Sequence, residues 1–280
     1  MRWNLSSRAR ELSGADLLVL SIPKSGRTWL RTFLSAYFAA KIGRDFALDL
    51  TDGRTPGVPR IVYSHDRFEH RTKGNWWDRA RGKYLVPACE ARNKPVVLLV
   101  RDPRDAFISY YVQLTRRNPA VPEKIKRASA GFVLRHPRFG IAVMVETLNR
   151  WLREFASRHD FMILRYEDLL ADPPKWFQEL LRAVIAAPFD PTAFTYSLQF
   201  SRFDNMRRLE ASGAFGDKIL QPGNPDDPQS FKVRSGNIGG FAQYLSSDDQ
   251  EFAGRVCQKL DPRFRYNICQ SALGTNVGTA

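Results

Sequence analysis

Cysteine is scarce in this chain and follows no pattern. Its three cysteines, Cys89, Cys257 and Cys269, are odd in number and show no CxxC spacing. That argues against a disulfide framework and a thiolate zinc site, and free thiols suit a reducing compartment. Long apolar runs are missing as well. No uninterrupted stretch approaches the roughly 18–20 residues that a spanning helix needs. The N-terminal "MRWNLSSRAREL" carries no apolar core of a secretory signal. The expectation is a cytoplasmic protein, with peripheral membrane contact left open. Acidic residues are also in short supply. Against 43 Lys and Arg stand 29 Asp and Glu, a formal charge of +14.

This imbalance is local. Residues 60–138 hold 18 Lys/Arg against 7 Asp/Glu, and so carry +11 of the +14. Such an excess makes polyanions the default partners: nucleic acid, an anionic membrane face or phosphate-bearing small molecules. A solvated basic face explains the same numbers, and composition does not choose between them.

With 280 residues and 43% hydrophobic content, the chain can bury a substantial core. Four short β-rich runs stand out: "LLVLSI" (17–22), "RIVYSH" (60–65), "PVVLLVR" (95–101) and "FMILRY" (161–166). Runs apolar on nearly every residue suit strands buried on both faces. Helical patterns follow the first, third and fourth, and a further amphipathic stretch, 139–158, precedes the fourth. Strands alternating with helices predict one α/β domain, a central parallel sheet flanked by helices. That domain is expected over residues 1–270, with 271–280 a disordered tail. Two stretches break the rhythm. Residues 66–94 are basic and aromatic with Gly and Pro punctuation, and 213–237 reads as a long loop.

The joint after the first strand, "SIPKSGRTWLRTFL", carries chemistry. A strand ending in a turn with Ser25 and Gly26, then a helix, gathers backbone N–H groups and a positive dipole end at one spot, which is an anion site. Lys24 adds a point charge and Thr28 a hydroxyl. A plain β-turn with a solvated lysine is the bland alternative. The GxxxxGK[ST] order of the ATP/GTP P-loop is absent, since here the lysine precedes Ser-Gly. A second candidate pair lies further on. Arg101 ends the third strand run and Ser109 follows in the next helix, so guanidinium and hydroxyl face one crevice and can hold a phosphate group.

"PKSGRTWL" resembles the PKSGTTW signature of sulfotransferases that use 3′-phosphoadenosine 5′-phosphosulfate (PAPS). "VVLLVRDPRDAFISYY" resembles that family's strand–Arg–(N/D)P–(K/R)D–x–x–x–S–x–Y block, in which Arg101 and Ser109 hold the 3′-phosphate. Weaker similarities follow in the family's order. "RYEDLLADP" places Tyr166 near adenine. "SRFDNMRRLE" resembles the SFxxM segment, with Ser201 and Phe203 at positions that hold the base and Met206 fitting the pattern. "RSGNIGGFAQYL" resembles the RKGxxGDWKNxFT motif, with Arg234 and Gly236 matched, Ser235 in place of Lys and Phe241 in place of Trp. These blocks span residues 17–245, and the last is degenerate. The resemblance implies a P-loop-like nucleotide-binding sulfotransferase fold, PAPS as donor, PAP as product and no metal. It implies a nucleotide site of Lys24, Ser25, Gly26, Arg27, Thr28, Trp29, Arg101, Ser109, Tyr166, Ser201, Phe203, Arg234, Ser235 and Gly236. Trp29 would stack on adenine, although its helical spacing suits core equally well. Arg27 departs from the family's Thr.

Sulfuryl transfer to a hydroxyl or amine needs an in-line donor, a base for the acceptor and relief of charge on the departing phosphate. Lys24 suits the last task. His65 ends the second strand run and aligns with the base of the family's PRxxKTHLP segment. Its unperturbed pKa of about 6.5 fits neutral pH. His70, His136 and His159 lie in charged or loop-like sequence and are expected in solvent. Tyr63 stands where the family has Lys, so either Tyr63 substitutes in part or the auxiliary cation is supplied elsewhere. Catalysis would thus rest on His65, Lys24 and Ser109. The acceptor is a small molecule, a glycan or a lipid-linked alcohol. The basic loops favour an anionic one, while Phe68, Trp76, Trp77 and Tyr84 equally suit a phenol or sterol-like alcohol. The alternatives are a P-loop-type kinase using ATP and Mg²⁺ and a basic nucleic-acid-binding protein. The latter explains the charge but not the ordered motifs.

Overall fold

The computed structural model describes residues 11–118, 121–184, 188–213, 231–233 and 236–266. Arg234, Ser235, Cys269, most of the 213–237 loop and the 271–280 tail lie outside them. Strands β1 (Leu17–Ser21), β2 (Ile61–Ser64), β3 (Val96–Val100) and β4 (Phe161–Arg165) form a four-stranded, wholly parallel sheet among these residues, in the order β2-β1-β3-β4. Each strand falls inside the run expected for it, shortened at one or both ends. The register sets Leu17 opposite Ile61, Leu18 opposite Val96 and Val96 opposite Phe161.

Period-two alternation splits the core in two. Leu18, Leu20, Val96, Leu98 and Val100 face one layer, and Leu17, Val19, Val97 and Leu99 face the other. The second layer holds α1 (Arg27–Lys41), which follows β1. Residues 66–94 are not a bare loop. They fold into three short helices, α2 (Asp66–Thr72), α3 (Trp76–Ala80) and α4 (Ala88–Ala91). After β3 come α5 (Pro103–Arg116), α6 (Glu123–Lys126), α7 (Ala130–Arg135) and α8 (Ile141–Phe155). The "RDP" of the sequence starts α5: Asp102 caps it, accepting from the Arg104 amide at 2.9 Å, and Pro103 occupies the first turn. After β4 follow α9 (Tyr166–Ala171), α10 (Pro173–Val184), α11 (Pro191–Phe200) and α12 (Phe203–Ser212), and α13 (Ser247–Cys257) closes the first layer. Among the described residues no helix is long and apolar enough to cross a membrane.

The turn after β2 is held by one buried carboxylate. Asp66 adopts a left-handed backbone, φ 38°, a conformation Asp tolerates better than most residues. Its oxygens accept from the Val86 amide at 2.6 Å and from the Trp151 indole at 2.8 Å. Burial pushes this carboxyl above its ordinary value. Asp66→Ala leaves both donors buried and unpaired, and should lower the unfolding free energy by about 2–4 kcal/mol. Asp66→Asn keeps an acceptor and should lose less. Urea titration of both variants checks the order.

Candidate active site

Three adjacent strands leave the sheet at the same edge, and their exits meet around one cavity of about 1040 Å³. Pro23 and Lys24 after β1, His65 after β2 and Arg101 after β3 all line it. At the first exit Lys24 (φ 69°) and Gly26 (φ 92°) are both left-handed. They flank Ser25, whose hydroxyl donates to the Ile22 carbonyl at 3.1 Å. This curl turns successive amides inward, and no side chain caps α1. Gly26, Arg27, Thr28 and Trp29 therefore open onto the cavity at the positive end of the helix. Ser25 is buried and does not line the cavity, so its side chain is not placed to serve a ligand. Glycine is required at 26: a Cβ would stand 2.7 Å from the Tyr166 ring, on a backbone that side chains avoid.

Arg101 ties the segments together. Its guanidinium donates to the Lys24 carbonyl at 3.3 Å and to the Asn237 carbonyl at 2.9 Å, and lies 4.5 Å over the Tyr166 ring. Its Nε is buried with no hydrogen-bond partner among the described residues. Tyr166 donates to the Gly236 carbonyl at 3.3 Å and meets Trp29 edge-on, centroids 5.9 Å apart. Gly236 packs beneath Phe203, close enough that a Cβ would come within 3.2 Å of its ring. Ser109, Ser201, Phe203 and Met206 also line the cavity. Trp29 packs edge-on against Phe177 of the core and also lines the cavity.

His65 is oriented by the sheet itself. Its Nδ1 lies 2.6 Å from the Ser21 carbonyl of the neighbouring strand. A carbonyl only accepts, so Nδ1 carries the proton and Nε2 the lone pair. Lys24 is electrostatically crowded. Burial first, then the charges of Arg117, Lys232 and Arg101, bring its ammonium down from 10.5 to about 7, while Glu210 opposes them. A cluster of cations around an unpartnered guanidinium N–H fits a polyanionic ligand, whose charge would restore the lysine proton.

Several contributors were not singled out from the sequence. Glu210 is fully buried and accepts from the amides of Lys232 (2.7 Å) and Val233 (2.9 Å), which brings Phe231, Lys232 and Val233 to the cavity wall. Asp105 accepts from the Gly239 and Phe241 amides at 2.7 and 3.0 Å and draws that segment onto α5. Arg117 had a local signal: Ser109 and Gln113 of α5 and Arg117, which caps its C-terminus, recur every fourth residue, and all three line the cavity. Glu210 offers no such signal. Tyr63 does not line the cavity; its ring sits 4.3 Å under the Arg31 guanidinium, among residues of the second core layer. Its family position contributes no cation here, and Arg27, Arg117 and Lys232 reach the cavity from elsewhere. His70 and His136 lie half-buried within and just after short helices rather than in solvent, and His159 is exposed. Of the four aromatics considered for an acceptor, Phe68 and Tyr84 line the cavity, whereas Trp76 and Trp77 stand outside it, exposed.

Residues 15–265 match the family model described as the sulfotransferase domain. Cytosolic sulfotransferase 17 of Arabidopsis thaliana is 24% identical, across 89% of this chain and 74% of that protein. The 3-alpha-hydroxysteroid sulfotransferase of Cavia porcellus is 21% identical, across 87% of this chain and 83% of that one. Among solved structures, mouse sulfotransferase SULT7A1 complexed with PAP superposes with a TM-score of 0.58 at 15% identity, covering 90% of this chain and 88% of that chain. Retinol dehydratase in a complex with retinol and PAP gives 0.55 at 14% identity, covering 94% and 84%. On a match that spans nearly its whole described length, this chain belongs to the sulfotransferase family.

Proposed function

We propose that the chain moves a sulfuryl group from PAPS to the hydroxyl of an apolar acceptor, with His65 as base and Lys24 as the cation at the leaving phosphate. The observation that carries this reading is the meeting of Lys24, His65 and Arg101, from three strand ends, around a single cavity. At about 1040 Å³ it exceeds most single-ligand pockets, which run roughly 300–1,000 Å³, and so leaves room for donor and acceptor together. When bound, PAPS supplies the transferable group and a nucleotide phosphate to depart. The α1 amides and Lys24 would hold that phosphate, Arg101 and Ser109 the 3′-phosphate, and Trp29, Tyr166, Ser201 and Phe203 the base. Gly236 supports the ring of Phe203, and Arg234 and Ser235 belong to the same proposal by resemblance alone. Ser25 contributes backbone only, because its hydroxyl proton is committed to Ile22.

His65 Nε2 is the acceptor of a proton from the substrate hydroxyl, and the Ser21 carbonyl stabilises the imidazolium through Nδ1. The Lys24 ammonium favours charge that grows only as the bond to the phosphate breaks, so it acts on kcat more than on binding. Phe68, Tyr84, Tyr110, Leu114, Val121 and Phe139 also line the cavity, and on this reading they form its acceptor lobe. Its cations are engaged: Lys73 pairs with Glu69 at 2.8 Å, and Arg138 donates to the carbonyls of Arg71, Thr72 and Gly74. An apolar alcohol or phenol therefore fits better than a polyanionic acceptor. The steroid-named relative and the retinol- and androsterone-bound neighbours take acceptors of that kind.

Lys24→Met should lower kcat by roughly 10²–10³ with KM for PAPS changed far less, and His65→Gln by roughly 10²–10⁴; steady-state kinetics with radiolabelled PAPS and a phenolic acceptor panel reads both. Turnover should persist in EDTA, whereas a Mg²⁺-dependent kinase would stop. The depressed lysine also dictates a pH dependence. Its value rises when an anion binds, so binding takes up a proton once the free ammonium has titrated. The Kd for PAP should then climb up to about tenfold per pH unit above pH 7. Lys24→Met should flatten that slope, as calorimetry across pH 6.5–9 would show.

A further inference from the structure

Trp76 and Trp77 are 64% and 63% exposed, the most exposed large apolar side chains among the described residues. They are not the by-product of a loose loop. Asn75 and Asp78 form a capping box that starts α3, with the Asp78 amide donating to Asn75 Oδ1 at 2.9 Å. Arg138 donates to the carbonyls of Arg71 (3.2 Å), Thr72 (3.0 Å) and Gly74 (3.4 Å), which holds the turn before the helix. Gly74 is left-handed, φ 72°, and packs so closely that a Cβ would stand 2.8 Å from both Tyr84 and Asp78. A helix of five residues has no stability of its own. These contacts keep two indoles, centroids 4.6 Å apart, turned outward.

The surroundings are cationic. Residues 71–84 hold five Lys/Arg (Arg71, Lys73, Arg79, Arg81, Lys83) against Asp78 alone, a net +4. Arg71, Lys73, Arg81 and Lys83 are exposed beside the indoles; Arg71, Lys73 and Lys83 pair with Glu146, Glu69 and Asp78, so Arg79 and Arg81 carry the charge that these pairs leave over. We propose that this segment docks on an anionic lipid bilayer, the two indoles entering the headgroup boundary and the basic side chains lying over lipid phosphates. Indole rings favour that boundary because one edge is apolar and the other donates a hydrogen bond. Basic residues near the surface add to the attraction. A second copy of the chain would bring like charge against like charge. Stacked bases want a parallel platform, and this pair meets edge-on at 72°.

The docking surface is continuous with the cavity. Thr72, Lys73, Gly74 and Tyr84, from the same segment, line its wall. A bilayer held by Trp76 and Trp77 lies at the rim of the acceptor lobe, so an apolar alcohol dissolved in lipid reaches His65 without crossing bulk water. This corollary rests on the transferase reading above; the docking does not.

Flotation of the full chain with phosphatidylcholine vesicles, with and without about a third phosphatidylserine, tests the proposal. Binding is expected to the anionic vesicles alone and to weaken as salt rises. The double variant Trp76→Ser/Trp77→Ser should lose about tenfold or more in vesicle affinity, and Arg79→Gln/Arg81→Gln should reduce the salt dependence. Brominated lipids should quench the tryptophan fluorescence of the unaltered chain, a readout that needs no variant to fold. A rise in Tm with PAP reports on the transferase reading separately. No flotation, equal flotation of the tryptophan variant, or no quenching would overturn the docking. So would a tryptophan-dependent dimer in sedimentation, or displacement of vesicles by a single-stranded oligonucleotide.

Discussion

β1 is paired on both edges by parallel neighbours, β2 and β3. Parallel strands all exit at one edge of the sheet, so the segments that follow β1, β2 and β3 cannot avoid one another. What each carries at its exit is thereby concentrated: an ammonium at 24, an imidazole at 65, a guanidinium at 101. The same register places Ser21 beside His65, so a main-chain carbonyl chooses the imidazole tautomer. Chemistry at this site depends on strand pairing before it depends on any side-chain contact.

Away from the sheet the cavity walls are helices and the segments that join them, and buried carboxylates hold several of the joints. Asp66, Asp105 and Glu210 each accept two donors from segments distant in sequence. Asp102 and Glu167 join β3's exit to the start of α9, where the Asp102 amide donates to Glu167 at 2.9 Å. Burial raises the carboxyls of Asp66, Asp105 and Glu167 above their ordinary values. A raised folded-state value means that folding takes up protons. Ionisation of these groups therefore costs stability as pH rises through their folded values. They are kept for what they position: each accepts from two donors, which are amides, the Trp151 indole or, at Glu167, the Tyr266 hydroxyl.

Crowding of positive charge is the complementary feature. Burial first, and then the nearby charges of Arg117, Lys232 and Arg101, drive Lys24 down to about 7. A site so arranged is poised for an anion, since each bound negative charge relieves repulsion as well as forming contacts. Part of the chain's +14 is explained here, and part on the outer face around α3, where the charge surrounds exposed indoles. The basic excess of residues 60–138 is thus divided between two places, the cavity and the outer face around α3, which composition alone merges into one number.

Strand positions were legible because a doubly covered parallel strand must be apolar on both faces, and Leu17–Ser21 and Val96–Val100 are. The turn at the cavity was legible because Lys-Ser-Gly stands between such a strand and an amphipathic helix. The motif order 24, 65, 101, 109, 166 and 203 was equally readable, and the fold brings these residues to one cavity. Hidden from the sequence were contacts whose partners lie far apart along the chain, since no local pattern records them: Glu210 with the amides of 232 and 233, Asp66 with the Trp151 indole, Arg138 with the carbonyls before α3. The aromatic cluster of 68–84 shows the division most clearly. Composition determined that these rings and charges would share a segment. Only tertiary packing decided that Phe68 and Tyr84 turn inward while Trp76 and Trp77 face water, because burial depends on which surfaces the rest of the chain is left to cover.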